Sequence, residues 1–207
     1  MKLEIMVLGK VGTNCYIAMN EQNKEAIIID PADRADKINN KLKEMGAKPV
    51  AILFTHGHFD HVLAANDLKK EHHIQIYANE MERETLENTQ MNMSSMGNGQ
   101  SSYQADVYVK DGQVLNLAGM TCKVIWTPGH TPGGTCYYFE EDKILFSGDT
   151  LFCRSVGRTD FPGGSMSQLV RSIKDKLMIL DDEVKVFPGH MGATTIKDER
   201  IYNPFIG

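Results

Sequence analysis

The stretch Thr55-His56-Gly57-His58-Phe59-Asp60-His61 places three histidines and an aspartate within six residues, directly after the apolar run Val50-Ala51-Ile52-Leu53-Phe54. A run of that length and composition reads as a buried strand. The cluster therefore falls where a strand leaves the core and becomes a loop. Imidazole nitrogen and carboxylate oxygen are the ligands that zinc and its first-row neighbours prefer, so this density of them predicts a metal site.

The rest of the chain repeats the pattern at wider spacing. Trp126-Thr127 runs into Pro128-Gly129-His130, Phe146-Ser147-Gly148 into Asp149, and Val186-Phe187 into Pro188-Gly189-His190. A Pro-Gly turn ends a strand and swings the next side chain over its end. Two such turns hint at two similar halves. Five of the seven histidines lie in these turns; His72 and His73 follow a Lys-Lys-Glu run and read as exposed helix-end residues. A lone histidine is usually a satisfied structural residue, but five with Asp60 and Asp149 at strand ends predict a shared centre. Alternate residues of an extended loop point together, so His56 and His58 are expected to hold one metal, completed by His130. Asp60 and His61 fall on the next turn of chain and are expected to hold a second, completed by His190. Asp149 is left to bridge. Open positions beside such ligands are catalytic in type.

The remaining sequence bounds the setting. At 207 residues with a net charge of −5 and no Lys/Arg block, the chain holds a sizeable core and is an unlikely partner for nucleic acid or an anionic membrane surface. No apolar run reaches the ~20 residues of a spanning helix. The N-terminus shows no secretory signal, and Cys15, Cys122, Cys136 and Cys153 lack framework spacing. Reduced thiols, each a small buried apolar residue, and a cytoplasmic location are the expectation.

Strands are expected at 2–9, 14–19, 26–29, 50–54 and 74–77, then at 107–109, 114–117, 121–126, 135–139, 143–146 and 184–187. Asp33 is expected to cap a helix carrying Ala35, Ile38, Leu42 and Met45 and stopped by Gly46. Further helices are expected at 61–70, 79–87, from Ser165 (a capping box with Gln168) and at 195–202. Asn88–Ala105, with Met91, Met93, Met96 and Gly97-Asn98-Gly99, is the one long polar irregular stretch, read equally as substrate-facing or as plain surface. The order of sheet with helix, then sheet with helix, predicts one domain over 1–207, with two sheets packed together and helices outside.

These residues resemble the metallo-β-lactamase fold superfamily. The resemblance covers nearly the whole chain. Thr13-Asn14-Cys15-Tyr16, Asp30-Pro31, Thr127-Pro128-Gly129-His130-Thr131-Pro132-Gly133, Ser147-Gly148-Asp149-Thr150-Leu151-Phe152, Gly157-Arg158-Thr159-Asp160-Phe161 and Phe187-Pro188-Gly189-His190 are similar to its glyoxalase II branch. The resemblance implies an α/β protein, a four-layer αββα sandwich, two divalent metal ions and hydrolysis of a small-molecule thioester such as S-lactoylglutathione through a metal-bridging hydroxide. Zinc is the expected metal, with iron or manganese accepted by the same ligands. Asp60 and Asp149 are the expected catalytic residues.

Two departures bear on the thiol. The longer glyoxalase II enzymes carry a C-terminal helical segment that contributes to glutathione binding, whereas this chain ends at Gly207. Arg158 falls near their thiol-gripping basic position, but Thr159-Asp160-Phe161 does not follow the rest. Arg158 is thus a candidate substrate contact, with an ion pair to Asp160 as the favoured structural reading. The sharpest alternative is a mononuclear iron persulfide dioxygenase of the same fold, for which His56, His130 and Asp149 would be the matching ligands. A β-lactamase is disfavoured because no cysteine stands at a ligand-bearing strand end. A monomer or small homo-oligomer is expected.

Overall fold

The computed structural model describes residues 1–96 and 99–206. Gly97 and Asn98, part of the expected polar loop, lie outside the described residues. The first sheet is built in chain order from β1 (Lys2–Leu8), β2 (Thr13–Met19), β3 (Glu25–Ile29), β4 (Lys48–Leu53), β5 (Gln75–Asn79) and β6 (Val107–Val109). It is antiparallel from β1 to β3 and parallel from β3 onward. The second contains β7 (Val114–Leu117), β8 (Met120–Trp126), β9 (Thr135–Phe139), β10 (Ile144–Gly148), β13 (Lys185–Pro188) and β14 (Thr194–Thr195), in the order β14-β13-β10-β9-β8-β7. A small hairpin, β11 (Leu151–Phe152) with β12 (Ser155–Val156), stands apart.

Both sheets are covered on both faces, so their central strands are apolar throughout rather than alternating. The alternation is in what each face meets. Cys15, Ile17 and Met19 of β2 pack outward with Ile38 and Leu42 of α1 (Ala35–Met45) and Leu68 of α3 (Ala65–His72). Tyr16 and Ala18 point the other way, into a layer shared with Val124, Tyr137 and Phe146 of the second sheet. The outer face of that sheet, with Tyr138, Leu145 and Val186, packs on Leu169 of α5 (Met166–Ser172), on Ile173 and Leu177 of the π turn that continues it, and on Ile196 of α6 (Ile196–Tyr202). The result is the expected helix–sheet–sheet–helix sandwich.

Four local expectations are corrected. Asp33 does not cap α1: the N-cap is Arg34, in the left-handed region at φ 55°, with no side-chain cap. The helix expected at 61–70 is two, α2 (Phe59–Val62) and α3. The ladder breaks because the Ala64 amide donates to the Pro31 carbonyl at 3.0 Å, a partner outside the helix. The helix expected at 79–87 divides into a 3₁₀ turn, Glu80–Glu82, capped by Asn79, and α4 (Arg83–Glu87). Cys153 is exposed, whereas Cys15, Cys122 and Cys136 are buried. As expected, Ser165 caps α5 and Gly46 ends α1 at φ 62°.

Candidate metal centre

The strand order decides which loops meet. β8, β10 and β13 run in the same direction, β9 lying antiparallel to β8 and β10. Their C-terminal ends therefore share one edge. His130, Asp149 and His190 follow those ends, and β4 delivers His56 and His58 to the same edge from the other sheet. Asp60 and His61 lie in α2, the single turn that follows. The two sheets are tied there: the Tyr137 hydroxyl donates to Phe54 O at 2.9 Å, and the Thr135 amide to Thr55 O at 2.9 Å.

The seven side chains gather in three overlapping groups, His56–His58–His130, Asp60–His61–His190 and His56–His61–Asp149. His56, His58 and His130 present ligand atoms to one another, with His58 Nδ1 lying 3.1 Å from His56 Nε2 and 3.0 Å from His130 Nε2. Asp60, His61 and His190 form the second group, with His190 Nε2 3.3 Å from Asp60 Oδ2. Asp149 stands between them. Its Oδ1 is 3.5 Å from His61 Nε2, and its Oδ2 is 3.6 Å from His130 Nε2 and 3.5 Å from His190 Nε2.

The donor chemistry fits a cation. His130 Nδ1 donates to Arg158 O at 2.7 Å, and His56 Nδ1 contacts Thr55 Oγ1 at 3.2 Å. With the outer nitrogens of His56 and His130 engaged, their inner lone pairs both face His58 Nδ1, which can satisfy at most one of them by donating. In addition, His61 Nε2 and Asp149 Oδ1 are buried without any hydrogen-bond partner. Orphaned buried atoms of this kind call for an ion or a ligand.

Electrostatics divide the groups. Burial, reinforced by the neighbouring imidazoles, holds His56 and His58 well below the usual histidine range, so both imidazoles are neutral. In the second group burial opposes charge on His61, but Asp60, Asp149 and Asp30 outweigh it and raise its pKa to about 10. Burial likewise opposes charge on Asp60, yet His61, His190 and Thr13 hold its carboxyl below the usual range. A positive charge is thus favoured at the centre of the second group.

Several supporting residues were not singled out as functional from sequence. Asp30, buried at the end of β3, accepts from the Thr55 amide at 2.8 Å, Thr55 Oγ1 at 2.6 Å and His61 Nδ1 at 2.9 Å. It fixes the tautomer of His61, as outer-shell carboxylates do for metal-binding histidines. Thr13 Oγ1 holds Asp60 Oδ2 at 2.7 Å. Asn14 donates to Pro188 O and Met191 O, both at 2.9 Å, and Tyr16 OH to Pro188 O, which pins the loop bearing His190. Glu82, fully buried, joins two ligand loops by accepting from the Gly57 amide at 2.8 Å, Thr131 Oγ1 at 3.0 Å and the Gly133 amide at 2.6 Å. Glycine is required at two points: Gly148 has φ 48°, and a Cβ on Gly189 would lie 2.3 Å from Asp149 Oδ1. Of these supporting residues, Thr13, Asn14, Tyr16 and Asp30 lie in the stretches that carry the family resemblance, and Asp30 is also a carboxylate at a strand end like the ligand candidates; Glu82 had no such signal.

A cavity of about 660 Å³ opens over Asp60, Asp149, His58, His130 and His190. Met93 and Met96 of the irregular stretch line it, and the Phe59 amide donates to Asn92 O at 2.8 Å, so that stretch faces the site. Arg158 also lines it, but its guanidinium makes a two-pronged pair with Asp160, at 2.7 and 2.6 Å, and lies 4.1 Å from the Phe161 ring centroid. His72 and His73 stand apart from the centre, His72 half-buried against Asn39 at 2.6 Å and His73 exposed at the end of α3.

Comparison with known proteins agrees with this arrangement. The family model described as "Metallo-beta-lactamase superfamily" matches residues 8–190. Hydroxyacylglutathione hydrolase GloC of Haemophilus influenzae is 34% identical over 209 residues, covering 100% of this chain and 98% of that protein. The crystal structure of BLEG-1 B3 metallo-beta-lactamase superposes with a TM-score of 0.94 at 38% identity, covering 99% of each chain. The structure of TTHA1623 in a di-iron-bound form gives a TM-score of 0.87 at 32% identity, covering 98% of this chain and 99% of that one. With its fold, its ligand-bearing strand ends and these relatives in accord, the chain belongs to the metallo-beta-lactamase superfamily.

Proposed function

We propose that this protein is a metal-dependent hydrolase of thioesters working at a two-metal site. The observation that carries the reading is Asp149, whose two oxygens lie between the His56–His58–His130 group and the Asp60–His61–His190 group. Those residues would hold the ions, with Asp149 shared; zinc suits them, and the di-iron form of TTHA1623 is a reason to test iron beside it. A pair of divalent ions lowers the pKa of a shared water toward ~7 and polarises a substrate carbonyl.

The chain's own residues do the rest. Asp30 and Arg158 O hold the outer nitrogens of His61 and His130, so their inner nitrogens are turned toward the place where the ions would bind. Asp60, held at Oδ2 by Thr13, lines the cavity and orients the attacking water. A thiolate leaves readily, its parent thiol having a pKa near ~8.5, so no strong acid is required of the protein. The similarity to GloC, a hydroxyacylglutathione hydrolase, supports the thioester as substrate class.

A second reading has one specific observation behind it, the 38% identity to BLEG-1, a B3 metallo-beta-lactamase. The deciding experiment combines elemental analysis of protein purified without added metal with assays of S-lactoylglutathione, a neutral acyl thioester and nitrocefin. About two metals per chain with thiol release supports the thioesterase. Nitrocefin turnover without thioester cleavage sinks it in favour of β-lactam hydrolysis. One iron per chain with persulfide-dependent oxygen uptake and no hydrolysis sinks it in favour of the dioxygenase.

A further inference from the structure

The cavity mouth is apolar where a substrate's outer parts would lie. Val11, Met93, Met96, Phe152, Phe161 and Met191 line it. Three of these are left open to solvent, Met96 at 76%, Met191 at 60% and Val11 at 53% exposure. Exposed apolar side chains scattered singly are ordinary, but several gathered around one opening mark a binding surface. They come from separate segments, the β1–β2 turn, the stretch around 93–96 and the loop after β13, so no single local sequence preference explains the gathering.

Charge points the same way. Among the described residues lining the cavity, Arg158 is the one cation, and Asp160 and the Phe161 face already engage its guanidinium. Lys10 lies in the adjoining hollow, which also holds Asp33 and Asp60. A glutathione thioester carries two carboxylates on its thiol side, beyond the thioester carbon. It would meet methionine and valine there, with Arg158 already paired to Asp160 and Lys10 standing in the adjoining hollow rather than in the mouth.

We infer that the preferred substrate is a thioester with an uncharged, apolar acyl chain, seated along Met93, Met96, Val11 and Met191, rather than the thioester of a charged peptide thiol. Methionine suits this task, since its unbranched, polarizable side chain repacks around acyl chains of different length. The inference rests on the thioesterase reading and narrows it.

The test is a chain-length series on metal-loaded protein. Acetyl, butyryl and hexanoyl thioesters of N-acetylcysteamine are compared with S-lactoylglutathione for kcat/KM. Each methylene that enters the mouth should raise kcat/KM roughly three- to fourfold, mostly through KM, so two of the four methylenes added between acetyl and hexanoyl give about tenfold and all four about a hundredfold. The hexanoyl ester should exceed S-lactoylglutathione. A Val11→Lys variant, in a surface turn away from the metal ligands, should flatten the series and raise kcat/KM for S-lactoylglutathione, with metal content unchanged. A flat series in the wild type, or S-lactoylglutathione preferred over hexanoyl, overturns the inference and leaves the thioesterase reading standing. If no thioester is cleaved by the metal-loaded protein, both fall.

Discussion

Replacing Glu82 with glutamine tests how the two halves of the site are joined. Glu82 is 1% exposed and receives hydrogen bonds from Gly57, between His56 and His58, and from Thr131 and Gly133, which flank the His130 turn. Burial raises its carboxyl from the usual 4.5 to about 7, against the pull of those donors. A group whose folded pKa is raised contributes stability that is fully present below its unfolded value and is lost as pH rises through the folded one. Glutamine carries no such proton. The stability of the wild type relative to Glu82→Gln should therefore be greater at pH 5 than at pH 8. The difference is about 3 kcal/mol, from the roughly two pH units between pH 5 and the folded value of about 7 at ~1.4 kcal/mol each. Urea denaturation of both metal-free proteins at the two pH values measures it, and the histidines, common to both, cancel. A difference that stays constant, or that grows toward pH 8, would refute the reasoning, because it would mean that the three donors hold the carboxylate ionised throughout.

Three further outcomes are expected. Asp30→Asn should weaken metal binding by about 10–100-fold, read by competition with a chelator, since an amide cannot accept from both Thr55 and His61; wild-type affinity would remove Asp30 as the orienting group. Gly189→Ala should lower stability by about 1–3 kcal/mol and reduce the metals bound per chain, because the new methyl would stand 2.3 Å from Asp149 Oδ1 and 2.6 Å from His61 Cε1; full metal content would contradict that packing. Dialysis against a chelator should abolish hydrolysis and added zinc, manganese or iron should restore it, so activity that survives complete removal would exclude a metal mechanism.

What could be read in the sequence was whatever depended on neighbours along the chain. Val50–Phe54 with the histidines after it, and each Pro-Gly-His turn, are local signals: apolar residues make a strand, a turn ends it, and the ligand follows. Because such strands lie side by side in two sheets, their ends had to meet, and the seven ligand candidates do meet. What failed depended on partners far away in sequence. The break between α2 and α3 is made by Pro31 O, and nothing near Ala64 announces it. Asp33 is a good capping residue, yet the left-handed Arg34 occupies the cap. Asp30, Thr13 and Glu82 matter because of where His61, Asp60 and Gly57 come to lie, which composition does not encode. The apolar mouth is likewise assembled from segments with no shared pattern.

The division of the ligands between two sheets has a consequence for how the protein is born. β1–β6 are finished at Val109, and that first half of the chain supplies His56, His58, Asp60 and His61. His130, Asp149 and His190 emerge later, and β13 must dock beside β10 before His190 reaches its place. Neither half owns a complete set for either ion. A nascent chain thus presents only partial sets of these side chains, while an ion that binds the finished fold alone would stabilise it by an amount that grows with the logarithm of its affinity. Metal bound at this centre would therefore favour molecules whose late strands have joined the early ones.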